Sequence, residues 1–142
     1  MTSIRTLAAL VACTAAAAAS ASVDTSPRPG GVYRLKPGIY VQKGVDCGSP
    51  PNAAIRQYDG RGIATAHTRA CRARILSRRG STYQVSQSCV DAGAGPAPRV
   101  VERQVIEVSD ALTFTMGTGR RRDSYRYCPS YMLPADLRGP RK

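Results

Sequence analysis

Around Gly80 the chain alternates. Cys71, Ala73 and Ile75 occupy odd positions, and Arg72, Arg74 and Arg78 occupy even ones. Alternate residues of a strand share a face, so this spacing predicts a β-strand with an apolar side and a basic side. If Gly80 centres a hairpin with the returning segment Thr82–Val90, Ile75 faces Val85, Ser77 faces Tyr83 and Cys71 faces Cys89. A second hairpin around Ser109-Asp110-Ala111 would set Val108 against Leu112 and Ile106 against Phe114. Both hairpins turn their apolar residues to one side, and agreement between local signals of this kind marks a specified fold.

The other segments read the same way. Gly38–Lys43, Ile55–Tyr58, Gly62–Ala66, Arg69–Arg78, Thr82–Val90, Arg99–Val108, Leu112–Met116 and Ser124–Cys128 are predicted strands. Asp59-Gly60 and Arg79-Gly80-Ser81 supply turns that tolerate positive φ. Thirteen Gly and ten Pro interrupt any long helix. The expected fold is all-β: a small antiparallel meander barrel or sandwich of seven or eight short strands, closure being one way to remove exposed edges.

The first 21 residues read as an export signal. A basic start ending at Arg5 precedes the apolar run Thr6–Ala18, too short to span a bilayer. Ala19-Ser20-Ala21 then offers the small-x-small pattern of a cleavage site. Leu10-Val11-Ala12-Cys13 resembles a lipobox, so lipoprotein anchoring at Cys13 is the alternative to a periplasmic or secreted chain. Residues 22–31 read as a flexible tether, 32–133 as the β domain and 134–142 as a basic C-terminal tail.

Removing the leader leaves Cys47, Cys71, Cys89 and Cys128. Four cysteines in an exported chain imply two disulfides. Gaps of 23, 17 and 38 residues lack the close pairs of a zinc site. The preferred pairing is Cys47–Cys71 with Cys89–Cys128, because each bond ties a strand to a segment that no short turn already holds. Direct opposition of Cys71 and Cys89 across the Gly80 hairpin is the competing arrangement.

Charge sets the functional expectation. Twenty-one basic residues against nine acidic ones give +12, falling to about +11 once Arg5 leaves with the leader. Arg69, Arg72, Arg74, Arg78 and Arg79 gather on one hairpin, and Arg120, Arg121 and Arg122 in one loop. Guanidinium groups take phosphate and carboxylate bidentately. The expected partner is an anionic envelope polymer, a lipid headgroup or an acidic protein. Specific nucleic-acid binding is not expected, since no base-stacking set accompanies the arginines. The bland alternative is an Arg-rich solvated strand face.

A length of 142 residues excludes a multidomain enzyme, a Rossmann protein and a transmembrane bundle. His67 is the sole histidine. It leaves no two-histidine ribonuclease, although His67 with Glu102 or Glu107 and an arginine clamp could cleave RNA by general acid–base chemistry. Glu102 and Glu107 have opposite strand parity, so at most one shares a face with His67. No Gly-x-Ser-x-Gly elbow is present, and no metal or cofactor motif. Tyr125 and Tyr127 share a face, and with Tyr40, Tyr58 and Tyr83 they either complete a core short of Phe and Trp or line a barrel mouth.

Pro37-Gly38-Ile39-Tyr40, then Gly80-Ser81-Thr82-Tyr83 before Cys89, and a last strand ending in Cys128 give a layout similar to small exported proteobacterial domains of unknown function, which open with Pro-Gly-x-Trp or a relative. Tyr40 stands where they carry tryptophan, and the Arg120–Arg122 loop has no counterpart among them. The resemblance implies a disulfide-stapled β domain and no activity. The expected function is a non-catalytic exported binding module, with an inhibitor of an exported hydrolase as the alternative.

Overall fold

A computed structural model of the chain describes residues 24, 27–93 and 98–139. The export signal of residues 1–21 and Cys13 lie outside the described residues.

Eight antiparallel strands form one sheet: β1 (Gly38–Gln42), β2 (Ile55–Tyr58), β3 (Ile63–Ala64), β4 (Thr68–Arg79), β5 (Thr82–Asp91), β6 (Arg99–Asp110), β7 (Thr113–Gly117) and β8 (Asp123–Cys128). Their order across the sheet is β3-β2-β1-β8-β7-β6-β5-β4. Chain neighbours are therefore sheet neighbours all round, β1 pairing with β8, and the only seam lies between β3 and β4. The sheet is a nearly closed up-and-down barrel, and among the described residues it contains no α-helix.

Two contacts draw the seam together. The Ala73 N–H donates to the Arg61 carbonyl at 2.8 Å. The side-chain amide of Gln87, reaching across from β5, accepts from the Ile63 N–H at 2.7 Å and donates to the Ile63 carbonyl at 2.9 Å. Gln87 is the one buried polar side chain in the core. It stands in for a missing strand, because a buried edge peptide must find partners.

The core is tyrosine-rich for want of larger apolar residues. Tyr33, Tyr40, Tyr58, Tyr83, Tyr125 and Tyr127 are all buried, with Phe114, Leu35, Ile63, Ile106, Val85 and Met116. Tyr40 meets Phe114 and Tyr127 edge to face, with centroids 5.1 and 5.5 Å apart. Its hydroxyl lies within hydrogen-bonding distance of the Lys36 and Ala111 carbonyls, at 2.8 and 3.1 Å. Burial raises the hydroxyl pKa of Tyr33, Tyr40, Tyr58 and Tyr125. The Arg56 guanidinium over the Tyr125 ring partly offsets that rise.

The two barrel ends differ. At the end where β1 begins, Tyr33 and Leu35 plug the interior. The Tyr33 N–H donates to the Tyr58 hydroxyl, which donates in turn to the Gly30 carbonyl. Lys36 pairs with Asp24 at 2.6 Å. The described part of the expected tether thus touches the barrel, through Asp24 on Lys36 and the Gly30 carbonyl on the Tyr58 hydroxyl, just ahead of the plug residues. The opposite end is where β3 runs into β4 and β5 into β6, and among the described residues no side chain plugs it as Tyr33 and Leu35 do.

A second small core lies outside the sheet. Ile39, Val41 and Ile55 turn outward from β1 and β2 and are covered by Ala54, Leu133 and Leu137. Leu137, in the described part of the segment read as a tail, is buried in this cluster, and Arg138 Nε donates to the Leu133 carbonyl at 2.7 Å.

The disulfides are Cys47–Cys128 and Cys71–Cys89. The preferred pairing was wrong, and parity gives the reason. Cys71 and Cys89 face into the barrel from adjacent strands, with Cα atoms 4.0 Å apart. Cys128 follows the inward Tyr127 and so points out, where Cys47 waits on the loop after β1. An inward and an outward cysteine cannot meet through a sheet. Arg126, also outward, fixes that loop by donating to the Val45 carbonyl at 2.8 Å. The bonds close separations of 81 and 18 residues. In chain-entropy terms they are worth about 4.5 and about 3 kcal/mol. Two disulfides suit an oxidising, non-cytoplasmic compartment. No helix among the described residues is long and apolar enough to cross a membrane.

Candidate functional site

Two surfaces carry chemistry, one on the outside of the barrel and one inside its open end. The outer surface is built by register. Arg74 pairs with Ser86, which pairs with Arg103. In neighbouring rows Arg72, Ser88 and Val101 stand side by side, as do Arg69, Val90 and Arg99. Adjacent strands lie about 4.8 Å apart, so Arg74 and Arg103 are separated by roughly 10 Å across the small Ser86. All five arginines are exposed.

No acidic residue answers them. The ion pairs among the described residues are Lys36–Asp24, Arg61–Asp59 and Arg122–Glu107. Arg99 donates to the Ala70 carbonyl at 3.3 Å, which holds its guanidinium over β4. The result is a basic trough on β4–β6, floored by small side chains. The tyrosines of the sheet all point inward, so the trough has charge and no stacking platform.

The expected arginine set divides. Arg69, Arg72 and Arg74 join the trough. Arg78 does not: a register shift between Ile75 and Ser77 pairs Arg78 with Tyr83 in place of the expected Ser77, and its guanidinium lies over the Tyr83 ring at 4.9 Å. Arg78 Nε also donates to the Gly80 carbonyl at 2.9 Å. Arg79 is exposed at the far end of β4. Arg120 and Arg121 are exposed in the β7–β8 loop, while Arg122 pairs with Glu107 at 3.5 Å. Arg99 and Arg103, distant in sequence from the Arg69–Arg79 cluster, join it across β5, a proximity that only strand register creates.

The inner surface is the open mouth, a cavity of about 260 Å³. Ile63, Cys89 and Met116 form its apolar depth, with Val100 beside them. Above them runs a polar ladder: Gln87 Nε2 donates to Gln104 Oε1 at 3.4 Å, and Gln104 Nε2 to Glu102 Oε2 at 2.9 Å. His67, Asp91, Thr65 and Thr68 complete the lining. The Thr65–Thr68 turn is self-satisfied: Thr65 N donates to Thr68 Oγ1 at 2.9 Å, and His67 N to Thr65 Oγ1 at 3.2 Å.

His67 and Glu102 therefore share one cavity, while Glu107 is outside with Arg122. Among the described residues no arginine or lysine lines that cavity, so the expected arginine clamp is not brought to His67 and Glu102. No tyrosine lines it either. The tyrosines complete the core. No group of three or more His, Cys, Asp or Glu side chains among the described residues could hold a metal ion.

Comparison with known proteins found no matching family model, no matching curated protein and no matching solved structure.

Proposed function

We propose that this chain is an exported, non-catalytic binding module that docks an anionic polymer of the cell envelope on the outer face of β4–β6. One observation carries the reading: five exposed arginines, Arg69, Arg72, Arg74, Arg99 and Arg103, share a sheet face on which none is ion-paired with any described residue. Like charges left unneutralised at this spacing repel one another, since a Debye length of about 8 Å at physiological salt screens them only in part. An anionic chain laid along the trough relieves that repulsion and gains charge-assisted hydrogen bonds. The absence of aromatic side chains on the face fits recognition of charge in preference to bases. The plugged barrel and two disulfides make a rigid support, as a module working outside the cell requires. Export itself rests on the leader sequence.

Retention on heparin and lipopolysaccharide supports tests this. The account expects binding that weakens steeply between about 50 and 200 mM salt. Binding without salt dependence contradicts it and favours inhibition of an exported hydrolase through a shaped loop.

A further inference from the structure

We propose that the open mouth of the barrel binds a small organic cation, a protonated amine on a compact apolar body. The proposal is independent of the outer face.

The local charge is the first reason. In a chain with 21 basic residues, no arginine or lysine among the described residues lines this cavity, and its two carboxylates are Asp91 and Glu102. The three strands β4–β6, which turn Arg72, Arg74 and Arg103 outward, turn Glu102, Gln104 and Gln87 inward, so one alternation gives the wall opposite characters on its two sides.

The second reason is which hydrogen-bonding atoms remain. The Gln87 amide N–H groups are taken by the Ile63 carbonyl and Gln104 Oε1. Gln104 Nε2 gives a proton to Glu102 Oε2. Asp91 Oδ1 accepts from the Gly93 N–H at 3.0 Å. Glu102 Oε1 and Asp91 Oδ2 are left without a protein donor among the described residues. Glu102 is exposed and Asp91 half-buried, so water can reach both oxygens; a ligand that displaces this water must bring donors and positive charge in its place. Water competes for both carboxylates, so each charge-assisted hydrogen bond corresponds to about tenfold in affinity at most.

Shape and composition narrow the class. Ile63, Met116 and Cys89 offer an apolar seat below the carboxylates, so a bare ion would leave that seat unused. The donor set holds no metal. A sugar usually wants an aromatic platform, and the cavity has none. An anion would find no cation. An alkylammonium group with a small ring or branched body satisfies all four conditions.

Titration of the mature, oxidised protein with cyclohexylmethylamine, cyclohexylmethanol and cyclohexanecarboxylate tests the proposal, read by amide chemical-shift changes. Saturable amine binding is expected, centred on Ile63, Gln104 and Glu102, with the alcohol at least tenfold weaker and the carboxylate silent. Glu102→Gln and Asp91→Asn should each weaken the amine about tenfold, and Arg120→Gln in the β7–β8 loop should leave it unchanged. Two carboxylate variants guard against one failing to fold. Absence of amine binding up to ~10 mM, equal binding of the alcohol or the carboxylate, or amine binding untouched by both carboxylate substitutions overturns the proposal.

Discussion

The side chain of Gln87 satisfies both the N–H and the carbonyl of Ile63, at 2.7 and 2.9 Å, where β3 has no neighbouring strand to do so. One residue on β5 thereby does the work of two ladder bonds and brings the ends of an eight-stranded sheet together. Gln87→Leu should destabilise the protein by about 2–4 kcal/mol, because it leaves two buried main-chain groups unpaired. Urea unfolding checks this as a fall in midpoint at unchanged slope.

Tyr33 supplies the opposite case. Its hydroxyl is buried without a partner among the described residues, while its ring packs edge-on against Tyr83 at 5.5 Å. Tyr33→Phe keeps the ring and removes the unsatisfied oxygen. It should stabilise the barrel by about 1 kcal/mol, seen as a higher thermal midpoint.

The two disulfides should be unequal. Replacing Cys47 and Cys128 by Ser frees a separation of 81 residues, against 18 for the pair Cys71 and Cys89. The chain-entropy costs are about 4.5 and about 3 kcal/mol, so the first double variant should be the less stable. Peptide mapping of the oxidised protein should recover Cys47 joined to Cys128.

Alkaline pH should unfold the protein. Burial raises the hydroxyl pKa of Tyr33, Tyr40, Tyr58 and Tyr125 above the free value of 10.0. The folded state then holds protons that the unfolded state releases, so stability is complete below about pH 10 and falls as pH rises beyond it. Tyrosinate absorbance followed with pH should rise together with loss of structure. Ionisation of these tyrosines in a still-folded protein would contradict the packing described.

Much of this architecture was legible in the residues. Predicted strands and observed ones agree closely: Ile55–Tyr58 is identical and Thr82–Val90 differs by one residue. The Gly80 turn and the facing of Ile75 with Val85 follow from alternation alone. Parity also held the answer on the disulfides, since Tyr127 pointing inward forces Cys128 outward. Tertiary devices were not legible. Ala70 takes φ +49° beside the register shift between Arg69 and Arg72, and no glycine announces it. A further shift after Ile75 inverts Arg78. In the β6–β7 hairpin, Asp110 accepts from the Leu112 N–H at 2.7 Å and moves the turn onto Ala111-Leu112. Val108 therefore faces Phe114, and Ile106 faces Met116, two residues from the expected partners and on the same face. The shared cavity of His67 and Glu102 needed the barrel to close.

The most direct test of the central claim compares two triple variants on lipopolysaccharide across a salt series. Arg72→Gln, Arg74→Gln and Arg103→Gln together remove three charges from the trough. Arg120→Gln, Arg121→Gln and Arg122→Gln remove three from the loop and leave net charge equal. The trough variant should lose affinity severalfold more than the loop variant, with a salt slope shallower by about two to three units. Equal losses in the two variants would show that net charge alone drives binding, and the β4–β6 face would then be an ordinary solvated surface.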